Sequence, residues 1–312
     1  MSATSRDESF GSVFVAFLAN VAIAVAKGTA AVLTGSPALL AETLHTVADT
    51  GNEVLLFIAI RRSGMPADAS HPFGYGPERY YWALLAAIGM FVVGGAVSIW
   101  DGVHALLHPR QLEAFWAGVA VLAIALTLDG ISRTVARRQL GVQAARRQLP
   151  VGQYLRESED PTVLTVYLED SIDVLGAALA LIAIVLHRVT GSSVPDALGS
   201  IIIGCLLCYV ALRLTSHNRR LLSNQSVPDR YVERLRSRLV AHDAISAVPN
   251  LEAVYLGPAQ VLAAADVELS AGLSGADVAA SLARARAEIM DEVPAIARLY
   301  LTPVPAAGSD AQ

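Results

Sequence analysis

The chain repeats long apolar blocks separated by short polar connections, and after about residue 213 it changes to an ordinary soluble pattern. A bilayer core about 30 Å thick needs roughly 20 apolar residues in a helix. Six stretches meet that length: residues 10–33, 37–60, 80–106, 114–132, 162–187 and 194–213. The pattern therefore predicts an α-helical integral membrane domain with six transmembrane helices.

The last part of the chain predicts a small domain of mixed helices and strands. Helical patterns cover residues 229–242 and 276–292, and strand patterns cover residues 251–256, 261–269 and 296–301. The order α-β-β-α-β within about 90 residues is typical of a ferredoxin-like α+β domain with its helices on one face of a sheet. We therefore predict a membrane domain over 1–213, a cytoplasmic α+β domain over 214–305 and a tail over 306–312.

Composition agrees with a lipid environment and narrows the partners. Of 312 residues, 54% are apolar and only 16% are charged, whereas soluble globular chains carry about 25% charged residues. The net charge is −5 and no basic cluster is interleaved with aromatic residues, so nucleic acid is excluded as a partner. The lipid bilayer is the expected partner, and Cys205 and Cys208 within an apolar run are expected to act as small hydrophobic residues.

Arginines indicate how the chain crosses the membrane. They concentrate in the second and fourth connections, at positions 61, 62, 79, 133, 137, 138, 146, 147 and 156. Because cytoplasmic connections carry an excess of basic residues, we expect a multi-pass protein of the cell (inner) membrane with both termini cytoplasmic. Five glycines of the third and sixth helices are expected to allow close helix packing: Gly89, Gly94, Gly95, Gly199 and Gly204.

Two predicted membrane helices concentrate ionisable side chains. Charged groups at mid-membrane cost about 2.5–3.5 kcal/mol each on insertion scales, so they persist chiefly where a function needs them. His45 and Asp49 stand four residues apart in the second helix, and Glu169 and Asp173 repeat this spacing in the fifth. Each pair lies on one helix face. At 1.5 Å per residue, Asp49 and Asp173 lie roughly 18 and 21 Å from the same membrane surface, so the pairs are predicted to meet.

The four side chains form a donor set suited to a divalent metal ion. Imidazole and carboxylate ligands suit tetrahedral zinc, with manganese, iron, cobalt or cadmium as alternatives, and the lack of sulfur disfavours copper(I). Because such ligands must lose protons to bind metal, the site couples metal to protons, and His45 is the natural proton carrier. The ion is expected to be a substrate, and no cofactor is predicted.

Other ionisable residues have alternative interpretations. Asp170 is rotated about 60° from Asp173 around the helix axis and is an alternative ligand. Glu53 continues the stripe of the second helix and either lines an inner vestibule or simply reaches water. In the second connection, Asp68 and His71 either bind a second cation or belong to a capped, turn-rich loop.

Four ionisable residues are expected to have no role in transport. Lys27 is six residues from the end of the first helix and is expected to extend its ammonium to the membrane surface. His187 is expected to be interfacial, and Asp101 and Asp129 are expected to reach water near helix ends.

These motifs together resemble the cation diffusion facilitator family of divalent metal/proton antiporters. The resemblance rests on the Thr34-Gly35-Ser36 link, the His45-x-x-x-Asp49 pair, the His71-Pro72-Phe73-Gly74-Tyr75-Gly76 segment, the acidic cluster of the fifth helix and the α-β-β-α-β tail. It implies a homodimer, alternating access, and export of divalent cations through a site built from helices two and five. It also implies zinc as the substrate, because histidine in the first ligand position favours zinc over manganese or iron.

The chain departs from the family pattern in the fifth helix and in loop two. Zinc-transporting members usually have His-x-x-x-Asp where this chain has Glu169 and Asp173. One branch of the family carries Leu-Glu-Asp-Ser, as residues 168–171 do, often without a carboxylate at the position of Asp173. Some relatives have an additional histidine where Tyr75 stands.

Two other functional classes compete with a transporter. The first is a regulatory membrane protein that keeps the fold without coupled transport. The second is an intramembrane metalloenzyme, but the sequence has no His-Glu-x-x-His signature and no general base beside the four ligands. We therefore predict that the protein is not an enzyme.

Overall fold

A computed structural model describes residues 3–146, 150–152, 161–258, 260–270 and 274–305, and the side chains of 3–16, 19, 139, 143, 146, 161–170 and 276 lie outside this description. The chain divides into two compact units. The first contains residues up to Ile58 together with Trp82–Ser216, and the second contains Ala59–Tyr81 together with His217 and the residues after it. Each unit has its own core.

The first unit is built from long helices. They are α1 (Ala3–Thr34), α2 (Pro37–Ser63), α3 (Glu78–Leu107), α4 (Phe115–Arg146), α5 (Pro161–Thr190) and α6 (Val194–Leu222). Among the described residues, four spans within α3 to α6 are long and apolar enough to cross a membrane, and Asn20–Thr34 of α1 is a shorter apolar helix. The unit is thus a helical transmembrane domain with four clear apolar spans, whereas α2 is interrupted by its ionisable residues.

Several helices extend beyond their predicted ends. Helix α4 continues to Arg146 and α6 to Leu222, because apolar length marks only the part of a helix that lies in lipid. The link between α1 and α2 is tight: Gly35 has a φ of 68°, and Pro37 begins α2 at the position that tolerates proline. In α3, a π-helical segment, Met90–Ala96, separates two α-helical segments.

Glycines bring α3 and α6 into close contact. A Cβ atom on Gly95 or Gly204 would lie within about 3 Å of atoms of the facing helix, and Gly94 and Gly199 also face side chains. The prediction is wrong for Gly89, where an added Cβ atom would meet no neighbouring atom within 4 Å among the described residues. Gly102, which the sequence interpretation did not include, also packs against α6.

The second unit contains the predicted α-β-β-α-β order. Its elements are α7 (Asp229–Val240), β1 (Ile245–Gly257), β2 (Gln260–Leu269), α8 (Gly275–Glu292) and β3 (Ile296–Val304). The sheet order is β1-β2-β3, with β1 antiparallel and β3 parallel to β2. Strand β1 begins earlier than predicted because it passes Pro249 at an irregularity in its pairing, where the missing N–H of proline is tolerated.

The core of this unit follows the sequence periodicities. In β2, Ala263, Ala265 and Val267 are buried at every second position. Helices α7 and α8 contribute Leu235 and Ile289, among others, to the same core. The domain is therefore a small α/β layer with one hydrophobic core.

Candidate metal centre

Helices α2 and α5 bring three of the predicted ligands together. His45 Nδ1 lies 3.2 Å from Asp49 Oδ2, and His45 Nε2 lies 2.9 Å from Asp173 Oδ1. One donor atom from each residue lies within 4.8 Å of the others. Donors about 2.0–2.1 Å from a tetrahedral zinc ion are roughly 3.3 Å apart, so separations as wide as 4.8 Å must shorten by up to about 1.5 Å before one ion can be shared.

The site is closed around its histidine and more open at its carboxylates. His45 is 1% exposed, whereas the side chains of Asp49 and Asp173 are 21% and 25% exposed. Neighbouring threonine hydroxyls do not compete for these ligands, because Thr46 and Thr50 donate to backbone carbonyls one turn earlier in α2. His45 and Asp49 thus lie on a regular helix, and the carboxylates are the more exposed part of the cluster.

Both ring nitrogens of His45 face carboxylate oxygens at ion-pair distance. An imidazole carries N–H groups at both nitrogens only when it is protonated, whereas metal coordination requires a free nitrogen lone pair. The same ring nitrogen therefore cannot hold a proton and coordinate a metal ion at the same time.

Similarity to known proteins decides the family. Residues 13–223 match the family model for the cation efflux transmembrane domain. The chain belongs to the cation efflux (cation diffusion facilitator) family. This family consists of membrane transporters of metal cations, and the chain is a multi-pass membrane protein.

Three relatives illustrate how far the similarity extends. The human proton-coupled zinc antiporter SLC30A9, mitochondrial, is 33% identical over 242 residues, covering 78% of this chain and 43% of that protein. Metal tolerance protein C4 of Arabidopsis thaliana is 29% identical, covering 75% of this chain and 51% of its own length. Magnetosome protein MamB of Magnetospirillum gryphiswaldense is 25% identical, and the match covers 95% of this chain and 94% of that protein. The matched region thus spans about half or less of the first two relatives.

In this cation efflux protein, the helix positions of two predicted ligands are described, but the positions of their side chains are not. Glu169 and Asp170 lie on the continuous helix α5, but their side chains are outside the described residues. Glu169 precedes Asp173 by one turn on the same face. Its role as the fourth ligand, and that of Asp170 as an alternative, stay predictions.

Glu53 has a partner in the first helix. Its Oε1 accepts a hydrogen bond of 2.6 Å from Asn20 Nδ2, which links α1 to α2. This contact accounts for a polar group at that position of α2, and a role of Glu53 in the metal path stays a prediction.

The second predicted cation site has the geometry of a capped turn. Asp68 Oδ1 accepts the backbone N–H groups of Ser70 and His71 at 2.8 Å, and Oδ2 accepts the Tyr75 hydroxyl at 2.8 Å. Hydrogen bonds from the side chain of Ser70 and then of Tyr75 hold the pKa of Asp68 well below its usual range. His71 Nδ1 lies 3.9 Å from Asp68 Oδ1. The contacts favour the capped-loop interpretation, and cation binding by Asp68 and His71 stays a prediction.

Lys27 contradicts its sequence interpretation. It is only 2% exposed, and its Nζ donates to Glu42 Oε1 at 2.8 Å and to Thr46 Oγ1 at 2.9 Å. The ammonium does not reach the surface because a carboxylate on the adjacent helix is nearer and replaces its hydration. The sequence contained one signal that Lys27 has a buried partner. This signal is Glu42, an acidic residue three positions before His45 in an apolar helix.

His187 and Asp101 are also buried, contrary to expectation. His187 Nδ1 lies 3.2 Å from Asp196 Oδ2, and Asp196 Oδ1 accepts the Ser36 hydroxyl at 2.7 Å. This fully buried carboxylate of α6 lies at the N-terminus of α2, where helix dipoles favour negative charge. Asp101 is buried against Arg110, with 3.0 Å between Oδ1 and Nη2.

Asp129 of α4 is only partly accessible, again contrary to expectation. Its Oδ2 is buried and has no hydrogen-bond partner among the described residues. The carboxylate interacts electrostatically with Lys27 and Asp173. The neighbourhood of the candidate site therefore contains more negative charge than the predicted ligands alone provide.

Proposed function

We propose that this cation efflux protein is a secondary active transporter that exports divalent metal cations, zinc foremost, in exchange for protons. The observation that carries the proposal is the cluster of His45, Asp49 and Asp173 between two helices of the membrane domain. The name of the human relative, a proton-coupled zinc antiporter, supports the same substrate and coupling here.

Zinc is the preferred ion because of the donor atoms. Imidazole nitrogen suits zinc better than it suits manganese or magnesium, and carboxylates supply the charge that a divalent ion requires. We propose Glu169 as the fourth donor, one turn before Asp173 on α5. Manganese, iron, cobalt and cadmium are the competing substrates, because three carboxylates are a harder donor set than the common zinc ligands.

Proton exchange follows from the competition at His45. When the site faces a metal-rich compartment, ion binding displaces the proton that the imidazole shares with Asp49 and Asp173. When it faces the opposite compartment, protonation of the same histidine weakens coordination and favours release. A single shared site therefore couples the two fluxes.

The architecture that this mechanism needs is a six-helix domain in which α2 also crosses the membrane. Helix α2 has 27 residues, or roughly 40 Å at 1.5 Å per residue, which is long enough. Its ionisable residues have partners on neighbouring helices: His45 faces Asp173 of α5, and Glu42 and Glu53 accept from α1. We further propose a homodimer in the cell inner membrane, with both termini and the ferredoxin-like C-terminal domain on the cytoplasmic side.

Flux into proteoliposomes tests the proposal. The purified protein is reconstituted with a metal-sensitive dye inside, and uptake of zinc, manganese, iron, cobalt and cadmium is followed with and without a pH gradient. We expect zinc uptake that increases with an opposing proton gradient and falls at least 100-fold in Asp49→Asn, because loss of a charged ligand removes affinity steeply.

The control variant is Asp101→Asn, which removes a buried carboxylate of the same unit outside the cluster. It should transport at close to the wild-type rate. Wild-type flux in Asp49→Asn would remove the basis of the proposal. Flux that ignores the pH gradient would instead favour a membrane protein of the same fold without proton coupling.

A further inference from the structure

An intramembrane ion pair lies beside the metal cluster. Lys27 of α1 and Glu42 of α2 are 2% and 0% exposed, and their charged atoms are 2.8 Å apart. A buried charge is costly unless it is paired. The ammonium is further held by the hydroxyl of Thr46, which directly follows His45 in the chain.

The pair occupies the layer next to the ligands. Glu42 precedes His45 by three residues on α2, and Gly176 follows Asp173 by three residues on α5. Glu42 Oε2 lies against Gly176, where a Cβ atom would come within 2.5 Å of this oxygen. Helices α2 and α5 therefore hold two successive layers of contacts. One layer contains the candidate ligands, and the next layer, one helical turn away, contains the carboxylate of Glu42 against Gly176.

Only one carboxylate oxygen of Glu42 has a hydrogen-bond partner among the described residues. Oε1 accepts from Lys27, whereas Oε2 is buried without a hydrogen-bond partner among the described residues. A carboxylate with an unused oxygen next to a cation site is a strong attractor for a divalent ion. Its attraction is offset here by the ammonium, which also interacts electrostatically with Asp129 and Asp173.

We propose that Lys27 is a positioning residue that sets the metal affinity of the site. Its ammonium acts as a tethered cation that neutralises Glu42 and opposes the divalent ion at His45, Asp49 and Asp173. This keeps the ion bound weakly enough to be released in each transport cycle. The inference rests on the proposed metal transport and adds a residue from α1 to a site formed by α2 and α5.

Zinc and cadmium binding by the purified full-length protein in detergent, measured by isothermal titration, tests this role. Lys27→Met should bind both ions on the order of 10-fold more tightly, because a like charge is removed and Glu42 is set free. Glu42→Gln should bind them on the order of 10-fold more weakly, because the ammonium is no longer neutralised. The double variant should return to within about 3-fold of the wild type.

Three further measurements separate electrostatics from packing. Lys27→Arg keeps the charge and should retain wild-type affinity within about 3-fold. Arg110→Met removes the cation of the Asp101 pair elsewhere in the unit and should leave affinity unchanged. In proteoliposomes, Lys27→Met should reduce the maximal zinc flux although it binds zinc more tightly, because release becomes slower.

A purely structural pair predicts a different pattern, in which both single variants lower the thermal stability and neither changes zinc affinity. That pattern would overturn the inference while leaving metal transport intact. If Lys27→Met does not accumulate, Glu42→Gln and the double variant still isolate the ammonium, and equal affinities of these two would also overturn the inference. If Glu42→Gln does not accumulate, Lys27→Met and the wild type isolate it in the same way. If the wild type binds neither ion, the proposed function itself is wrong and the inference is wrong with it.

Discussion

At the scale of single residues, the partner decides the role of each ionisable group. His45 and Lys27 are both buried bases in the membrane domain. His45 lies between Asp49 and Asp173 with both ring nitrogens facing oxygens, and we propose that this arrangement exchanges a proton for a metal ion. Lys27 faces Glu42, and an ammonium with no free lone pair cannot coordinate metal. Both bases are thus buried against carboxylates, but only the imidazole has a lone pair that a metal ion can use.

The choice among the acids of α5 gives a prediction at this scale. Asp173 lies 2.9 Å from His45, whereas Asp170 is about 60° away around the helix axis. We expect Asp173→Asn to lose more zinc affinity than Asp170→Asn, because the loss of a supporting group costs at most about 10–100-fold. Isothermal titration of the two variants with zinc makes the comparison.

Both variants replace aspartate by asparagine, which has nearly the same size and shape. Differences in zinc affinity between them therefore report the loss of charge and of a coordinating oxygen. A larger loss in Asp170→Asn would assign Asp170 to the metal and leave Asp173 as the hydrogen-bond partner of His45. In that outcome the Leu-Glu-Asp-Ser segment at 168–171, rather than the i, i+4 pair, would supply the ligands of α5.

At the scale of elements, helix ends and helix contacts fix where the ligands lie. The N-terminus of α2 is held by Asp196 of α6, whose Oδ1 accepts from the Ser36 hydroxyl and the backbone N–H of Ala38. His45 is eight residues beyond Pro37, roughly 12 Å along the helix. An anchored helix end therefore constrains the axial position of the ligands.

Glycine contacts between α3 and α6 give the prediction at this scale. A Cβ atom on Gly102 would lie 2.8 Å from the carbonyl oxygen of Ala197, a backbone atom that cannot rotate away. We expect Gly102→Ala to lower the free energy of unfolding by about 1–3 kcal/mol, seen as a lower thermal unfolding temperature and a lower yield in detergent.

Gly89 is the matched control, because it lies on the same helix and has nothing within 4 Å of an added Cβ among the described residues. Gly89→Ala should be neutral or stabilise the protein by up to about 1 kcal/mol, since alanine is the better helix former. Equal effects of the two substitutions would mean that the close approach of α3 and α6 does not limit stability.

At the scale of the whole molecule, the second unit has a core that does not depend on the membrane helices. The residues of its main buried apolar cluster lie between Val227 and Leu299. Helix α8 begins with a capping box, in which Ser274 accepts from the backbone of Asp277 while the Asp277 carboxylate accepts from Ser274. Within the residues that the structure describes, the only group of three clustered metal-ligand residues is the one in the membrane domain.

We therefore predict that residues 214–305 fold alone and without metal. The separately expressed segment should show a cooperative thermal transition that EDTA does not change, because apolar burial and not metal coordination forms its core. The control is the same segment with Leu239→Ala, which removes a fully buried core residue and should cost about 2–5 kcal/mol. Loss of structure on adding EDTA would reveal a structural metal site in this domain.

Local patterns were sufficient for the elements and for half of the site. The i, i+4 spacing of His45 and Asp49 places both on one helix face wherever the helix packs, and the alternation of Ala263, Ala265 and Val267 specifies the inner face of β2. The apolar lengths of α3, α5 and α6 likewise follow from composition alone. Such features depend only on residues that are near each other in the sequence.

Tertiary structure decided which distant groups became partners. The sequence contained Lys27 and Glu42, and Asp196 and Ser36, but not the packing that brings each pair to within 2.8 Å. Position in a helix suggested that Lys27 and His187 reach the membrane surface, whereas both are buried against carboxylates on another helix. The physical reason is that a buried charge is stabilised by the nearest opposite charge in space, and that distance is set by how α1, α2, α5 and α6 pack.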